Sequence, residues 1–382
     1  SSDLANTYSS CCKVMRYSFY LCKYNTFLIN FITFAIIMQI DIITENEIAE
    51  LKTLISDANK IILVGHKSPD GDAIGACLGL AEYLRQQGKS TSVFVPDAYP
   101  DFLKWLPGTE KIVRYDKHKT EIDAAFKNAD LVFCLDFNDI ARLEDMQESV
   151  ESSPAKKIVI DHHLNPIINS VITVSHQEAC STCELVFRLI YQLSGIENMT
   201  RKIAVPLYCG MMTDTGGFTY NSARPEIYSI IGLLLTVGID KDKIYRNVFN
   251  NYSPWAIRFR GYLMSQKLNV FDEYHASYFT VSRQDMKDYH FIKGDLEGLV
   301  NEPLRIKGHK FSISLREDDR HDNTILVSLR SVDDFPCNKV SEEFFNGGGH
   351  LNASGGKLHC SLAEAEQIAR KAIIKFGDML KA

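Results

Sequence analysis

The sequence predicts an α/β chain in which an N-terminal doubly wound parallel sheet is followed by a smaller α/β domain with a mixed sheet. Three observations carry this. Short apolar runs recur at Ile61–Val64, Ser92–Val95, Leu131–Leu135 and Lys157–Ile160, the pattern of strands buried on both faces. Helical periodicity follows them, and strands that alternate with helices imply parallel pairing. Beyond about residue 254 the chain is richer in alternating strands.

In chain order, Thr44-x-x-Glu47 is a capping box for a helix through Ile48, Leu51, Leu54 and Ile55. Helices are also expected at Ala73–Leu84, Thr120–Asn128 and Cys183–Leu193, the last opened by a Ser181-x-x-Glu184 box. Pro225 suits the first turn of a helix reaching about Val237. The chain is expected to divide into a first domain over residues 38–238, a linker over 239–254 and a second domain over 255–382. The second domain should hold strands at His275–Val281, Lys310–Leu315 and Thr324–Leu329, then a helix capped by Ser361-x-x-Glu364.

Residues 1–37 differ from the rest. They carry Lys13, Arg16 and Lys23 against Asp3, so that of the chain's net charge of −6 they hold +2 and residues 38–382 hold −8. The apolar run Phe27–Ile37 is too short to span a bilayer, which needs about 20 residues. No small-x-small cleavage site follows it. We expect a non-native or unstructured leader, with Met38 as the functional start; a signal or anchor and a structural arm are the other readings.

A chain that is 45% hydrophobic with 24% charge of mixed sign is not a disordered polymer. Its acidity is a poor match for coating long duplex nucleic acid, so phosphate binding must come from local charge or metal ions. The ten cysteines are irregularly spaced, and Cys180-x-x-Cys183 lacks a second pair to complete a zinc site. Unpaired thiols in a reducing cytoplasm, with no membrane attachment, fit best.

Acids and histidines follow the apolar segments. Ile61–Val64 runs into Gly65-His66-Lys67-Ser68-Pro69-Asp70-Gly71-Asp72, Leu131–Leu135 delivers Asp136, and Lys157–Ile160 delivers Asp161-His162-His163. Asp214 ends the apolar segment Ile203–Met212. Parallel strands bring their carboxyl ends to one edge, where ligands bind. Asp70, Asp72, Asp136 and Asp214 held together would repel, and two divalent cations would neutralise them. Mixed imidazole and carboxylate donors favour Mn²⁺, with Mg²⁺ or Co²⁺ as alternatives. Gly71 is expected to serve a tight turn between Asp70 and Asp72. Taken singly, Asp72 reads as well as a helix N-cap, and His66 as a satisfied core histidine; the ordered set points to metal chemistry.

The second domain offers Gly347-Gly348-Gly349-His350, whose backbone N–H groups could face an anion. Arg330-Ser331 ends a strand with a guanidinium suited to phosphate. Alone, the glycines would be a hairpin or bulge.

Together these motifs resemble the DHH phosphoesterase superfamily, in the branch with a DHH-associated C-terminal domain typified by oligoribonuclease/pAp-phosphatase-like proteins. The matching segments are His66–Gly75, Asp136 with Arg142, Asp161-His162-His163 with Asn165, Thr213–Phe218, and Gly347–His350. The resemblance implies an active site in the cleft between two domains, with one metal on His66, Asp70 and Asp136. A second metal would take Asp72, Asp136, His162 and Asp214. It places His163 near the scissile phosphate, with Asp161 orienting a histidine or the local backbone, so that Asp136, Asp161 and His163 form the catalytic set. Arg330, Ser331, Gly347, Gly348, Gly349 and His350 would grip the substrate. The implied activity is two-metal activation of a bridging water on short oligoribonucleotides, linear dinucleotides such as pApA, or 3′-phosphoadenosine 5′-phosphate (pAp). An exopolyphosphatase or pyrophosphatase is the alternative within that chemistry, and a non-catalytic nucleotide sensor the alternative outside it. A homodimer is left open. Where the family's first motif often ends Gly-Ser, this chain has Gly75-Ala76, and bulky Phe137 follows Asp136.

Overall fold

The computed structural model describes residues 40–381; the leader expected over residues 1–37 lies outside them. The first part runs α1 (Glu45–Asp57), β1 (Lys60–Val64), α2 (Gly71–Gln86), β2 (Ser90–Val95), β3 (Ile112–Arg114), α3 (Tyr115–Lys127) and β4 (Leu131–Leu135). It continues through α4 (Gln147–Glu151), β5 (Lys156–Asp161), β6 (Ile172–Ser175), α5 (Thr182–Ser194), α6 (Arg201–Asp214), α7 (Pro225–Thr236) and α8 (Lys241–Phe249). Six strands pair in parallel in the order β3-β2-β1-β4-β5-β6.

The two-residue period of β1 explains the double winding. Ile61 and Leu63 join one core layer with α2, α5 and α6, while Ile62 and Val64 pack with Tyr115, Ile122 and Phe126 of α3. Both faces of the strand are therefore covered, as its unbroken apolar run requires. The edge strands β3 and β6 were not anticipated. They have three and four residues, too few to show a period, and β6 buries only alternate positions fully.

Glycines set how closely α2 and α6 approach. Gly71, Gly75 and Gly79 recur every fourth residue and so share one face of α2. A Cβ on Gly75 would lie 2.5 Å from the Pro206 carbonyl oxygen and 2.8 Å from Cys183 Sγ, and one on Gly79 would lie 2.6 Å from Leu207. Gly71, expected to serve a tight turn, instead opens α2, and its missing Cβ leaves room for Thr213. Gly75→Ala is expected to destabilise the fold by about 1–3 kcal/mol, because backbone rather than a flexible side-chain end stands in the way. Urea unfolding measures this; a loss below about 0.5 kcal/mol would contradict the packing argument.

The second part comprises α9 (Pro254–Tyr262), β7 (Leu268–Phe271), β8 (Ala276–Val281), α10 (Arg283–Asp288), β9 (Phe311–Glu317) and β10 (Ile325–Ser331). It ends with α11 (Cys337–Phe344), β11 (Gly348–His350), β12 (Ala353–Leu358), α12 (Leu362–Lys375) and α13 (Gly377–Lys381). The strand order is β11-β12-β10-β9-β8-β7. Strands β8 and β9 are parallel and the other pairs antiparallel, so the sheet is mixed. The capping boxes at Thr44 and Ser361 form with both reciprocal bonds.

Two local expectations are corrected. The segment 239–254, expected as a linker, contains α8, and Ile239, Ile244 and Val248 sit in the first part's core. Ser181 caps α5, but Glu184 does not complete the box. Its carboxylate instead accepts from Cys180 N at 2.7 Å and pairs with the buried Arg188 and with Arg224. Cys180 and Cys183 are both free and buried. Among the described residues, no helix is long and apolar enough to cross a membrane.

Candidate metal centre

The strand ends deliver their side chains to one edge of the parallel sheet. After β1, His66 is buried, and its Nδ1 lies 2.8 Å from the Lys67 carbonyl oxygen. A proton on Nδ1 donates to that carbonyl, and Nε2 faces Asp136 Oδ2 at 3.4 Å and Asp70 Oδ2 at 3.9 Å. His162, just beyond β5, follows the same plan. Its Nδ1 lies 3.3 Å from the Ala179 carbonyl oxygen, and Nε2 faces Asp136 Oδ1 and Asp214 Oδ2 at 3.6 Å each, with Asp72 Oδ2 at 3.9 Å.

Asp136 therefore turns one oxygen towards each histidine. It follows β4 directly with φ +67, a left-handed conformation that aspartate tolerates better than most residues. Asp70, rather than Asp72, is the N-cap of α2, its Oδ1 accepting from Asp72 N and Ala73 N at 3.0 and 3.1 Å. Asp72 sits in the first helical turn, and its carboxylate takes the N–H groups of Thr182 (2.6 Å) and Cys183 (2.8 Å) at the start of α5. Asp214 comes from the end of a helix, α6, not from a strand. The close α2–α6 packing is what brings it to His162.

The charges are crowded. Burial pushes the Asp72 carboxyl well above its usual range, and the Asp136 and Asp214 charges add to this. Burial likewise raises Asp214 to about 6. Burial would lower His162, but Asp214, Asp136 and Asp72 overcome it and bring the imidazole to about 9. Burial also opposes ionisation of Asp136, yet the hydrogen bond from His66 and the nearby histidines hold its carboxyl well below the usual value. Protons thus cluster where a cation would otherwise lie. Imidazole nitrogens with their second nitrogen already bound to carbonyls, beside converging carboxylates, are a donor set that fits divalent metal. Among the described residues four such groups form: His66 with Asp70 and Asp136, Asp72 with His162 and Asp214, and two around His163, one with Asp136 and Asp161 and one with His162 and His350.

His163 also lies close to acids, but both its ring nitrogens are occupied by protein. Nδ1 is 2.7 Å from Asp161 Oδ1, and Nε2 is 3.2 Å from Arg142 Nη1. Holding a metal would require breaking one of these, so proximity alone does not make it a ligand. Asp161, expected to follow β5, is the last residue of that strand and fully buried.

The second domain reaches over this edge. The His350 ring stacks on His163 with centroids 5.1 Å apart and lies 5.3 Å from His162. Burial, with the neighbouring histidines, lowers its imidazole to about 4, so it is neutral at pH 7. Gly347–Gly349 form the start of a hairpin with β12. A Cβ on Gly349 (φ +144) would lie 2.6 Å from the Ala353 carbonyl oxygen, and Gly347 is crowded by Gly355 and Gly356. Gly348 alone of the three leaves open space at its Cβ position. Arg330, next to last in β10, places Nη1 on the Leu329 carbonyl oxygen at 2.9 Å, and its buried Nε has no partner among the described residues. Ser331 does not join them. Its hydroxyl donates to Phe335 O at 2.7 Å and accepts from Asn352 Nδ2, so it holds the following turn.

The chain matches the DHH family, N-terminal domain, over residues 60–211 and the DHHA1 domain over residues 276–376. It is 30% identical over 301 residues to the bifunctional oligoribonuclease and PAP phosphatase NrnA of Thermus thermophilus, covering 78% of this chain and 84% of that protein. The chain belongs to the DHH phosphoesterase superfamily. A crystal structure of an exopolyphosphatase-related protein from Bacteroides fragilis is 47% identical with TM-score 0.85, covering 89% of this chain and 99% of that one. The cyclic-di-AMP phosphodiesterase GdpP of Geobacillus thermodenitrificans is 25% identical, and this DHH chain spans 48% of its length. RecJ of Thermus thermophilus in complex with Mn²⁺ shares the fold, at 13% identity and TM-score 0.50 over 86% of this chain and 53% of that one.

Two contacts of the DHH site had weak or no sequence signal. Thr182 Oγ1 donates to Asp136 Oδ1 at 3.0 Å, which ties the start of α5 to the central carboxylate. A helix N-terminus after a Ser cap was visible, but not its aim. Arg142, noticed only as part of the second motif, also supplies the carbonyl that accepts from Lys67 N at 2.8 Å. It thereby joins the His66 loop to His163.

Proposed function

We propose that this DHH chain is a divalent-metal phosphoesterase acting on short phosphorylated nucleotides, with oligoribonucleotides of a few residues, pApA-like dinucleotides and pAp as substrates. One observation carries the reading: the two oxygens of Asp136 face two separate histidine–aspartate groups. His66, Asp70 and Asp136 would hold one ion, and Asp72, Asp136, His162 and Asp214 the other, with Mn²⁺ suited to the mixed donors. Such a pair, when bound, supplies Lewis-acid stabilisation of phosphoryl oxygens and lowers the pKa of water at the site.

The chain's own groups do the rest. Asp161 accepts the Nδ1 proton of His163 while Arg142 donates to Nε2, which locks the ring orientation beside the reacting phosphate. Neutral His350 brings a hydrogen bond rather than a charge, because its pKa lies far below 7. Its position over His163 makes the second domain a roof to the site, which favours chain ends and small substrates over long duplexes. The Arg330 guanidinium, whose Nε has no partner among the described residues, suits a terminal phosphate.

Arg330→Ala is expected to raise KM for phosphate-terminated substrates about 10- to 100-fold, the worth of a charged hydrogen bond, with little change in kcat. A fall in kcat with KM unchanged would remove Arg330 from substrate binding. The reading itself is tested by kcat/KM across pAp, pApA, two- to five-nucleotide RNA, long RNA, polyphosphate and pyrophosphate. Preference for the short nucleotides supports it. Preference for polyphosphate would favour the second reading, an exopolyphosphatase, which the 47% identical B. fragilis protein motivates.

A further inference from the structure

We infer that Lys293, in the loop after α10 of the second domain, is a positioning residue that couples the seating of that domain to the geometry of the His66–Asp70 loop. The inference rests on the metal-centre reading above. Lys293 Nζ reaches across the cleft to Asp97 Oδ2 at 3.3 Å and to the Ala98 carbonyl oxygen. Asp97 is 4% exposed and follows β2. Its other oxygen accepts the backbone N–H of Ser68 at 2.6 Å, and the Ser68 hydroxyl lies 3.4 Å from Oδ2.

Ser68 stands midway between His66 and Asp70. Its φ of +53 is a left-handed conformation that serine rarely adopts unless its surroundings impose it. The buried Asp97 carboxylate does so by capturing the Ser68 N–H, and a carboxylate so deeply buried is held in place by a cationic partner. Lys293 supplies that cation from the other domain. The seating is shared by its neighbour: a Cβ on Gly294 would lie 3.3 Å from both Pro100 and Phe102, so the loop rests against the segment after β2. When the second domain docks, Lys293 holds the Asp97 carboxylate in place, Asp97 holds Ser68, and Ser68 sets the separation of His66 and Asp70. A substrate that draws the two domains together would thereby complete the His66–Asp70–Asp136 group.

The test compares the full chain with Lys293→Met, which keeps the aliphatic stem, and with Lys293→Arg, which keeps the charge. In metal-free protein, hydrogen exchange of the 65–71 segment should speed up at least about 5-fold in Lys293→Met, while β5 is unchanged, and Lys293→Arg should restore protection. Calorimetric titration with Mn²⁺ alone should show about 10-fold weaker binding in Lys293→Met, as loss of an outer support does for metal sites, and recovery in Lys293→Arg. Equal exchange of the 65–71 segment in wild type and Lys293→Met would overturn the inference, as would equal Mn²⁺ affinity. Failure of the wild type itself to bind Mn²⁺ would instead count against the metal centre, and the exchange comparison would then decide the coupling alone.

Discussion

Asp136→Asn is expected to lower kcat/KM on short nucleotides at least about 1,000-fold, equivalent to about 4 kcal/mol of transition-state stabilisation. The variant keeps the size of the side chain, and asparagine tolerates the left-handed backbone that Asp136 adopts at φ +67. The hydrogen bond from Asp136 N to the Ile160 carbonyl is also retained. What disappears is the carboxylate turned to both histidines, which an amide replaces with only one acceptor oxygen. Circular dichroism should therefore be unchanged while hydrolysis is lost. Activity within about 10-fold of wild type would mean that Asp136 is not shared between two ions.

The second large effect concerns stability. Glu184 and Arg188 are both fully buried and 2.7 Å apart, and Arg224 approaches the same carboxylate at 2.8 Å. Glu184→Ala is expected to destabilise the protein by about 3–5 kcal/mol, because it removes the buried carboxylate that Arg188 and Arg224 share. It also frees Cys180 N, next to the Ala179 carbonyl that faces His162 Nδ1, so metal binding should weaken as well. Chemical unfolding measures the first; a loss under about 1 kcal/mol would contradict it. Burial pushes the Glu184 carboxyl up, but Arg188, the Cys180 N–H and Arg224 outweigh it and hold the folded value below the ordinary 4.5. A depressed folded value contributes stability that is present above pH 4.5 and lost as pH falls through it. Glu184→Gln should therefore lose stability less steeply than wild type between about pH 5 and about pH 3.

The alternation of apolar runs and helices was legible because each central strand is covered on both faces and so carries an unbroken apolar pattern. The candidate ligand residues were legible because strand ends in a parallel sheet must converge. Asp214 converges for a different reason, the glycine-lined contact of α2 with α6, which a linear reading could not supply. The same holds for Gly71, whose role is decided by Thr213 far away in sequence. Glu184 had the spacing of a capping box, but Arg188, Arg224 and the Cys180 N–H take its carboxylate instead. Ser331 matched a phosphate-binding position, yet the turn that follows uses its hydroxyl. The edge strands β3 and β6, the Thr182 and Arg142 contacts and the Lys293–Asp97 pair depend on tertiary neighbours and leave no local pattern.

The most direct test of the metal centre is a titration of metal-stripped protein with Mn²⁺, following pAp hydrolysis and bound ion together. Hydrolysis should be absent after chelation and should return as about two ions bind per chain. Full hydrolysis by the stripped protein, or no hydrolysis of any short nucleotide once the ions are bound, would contradict the account.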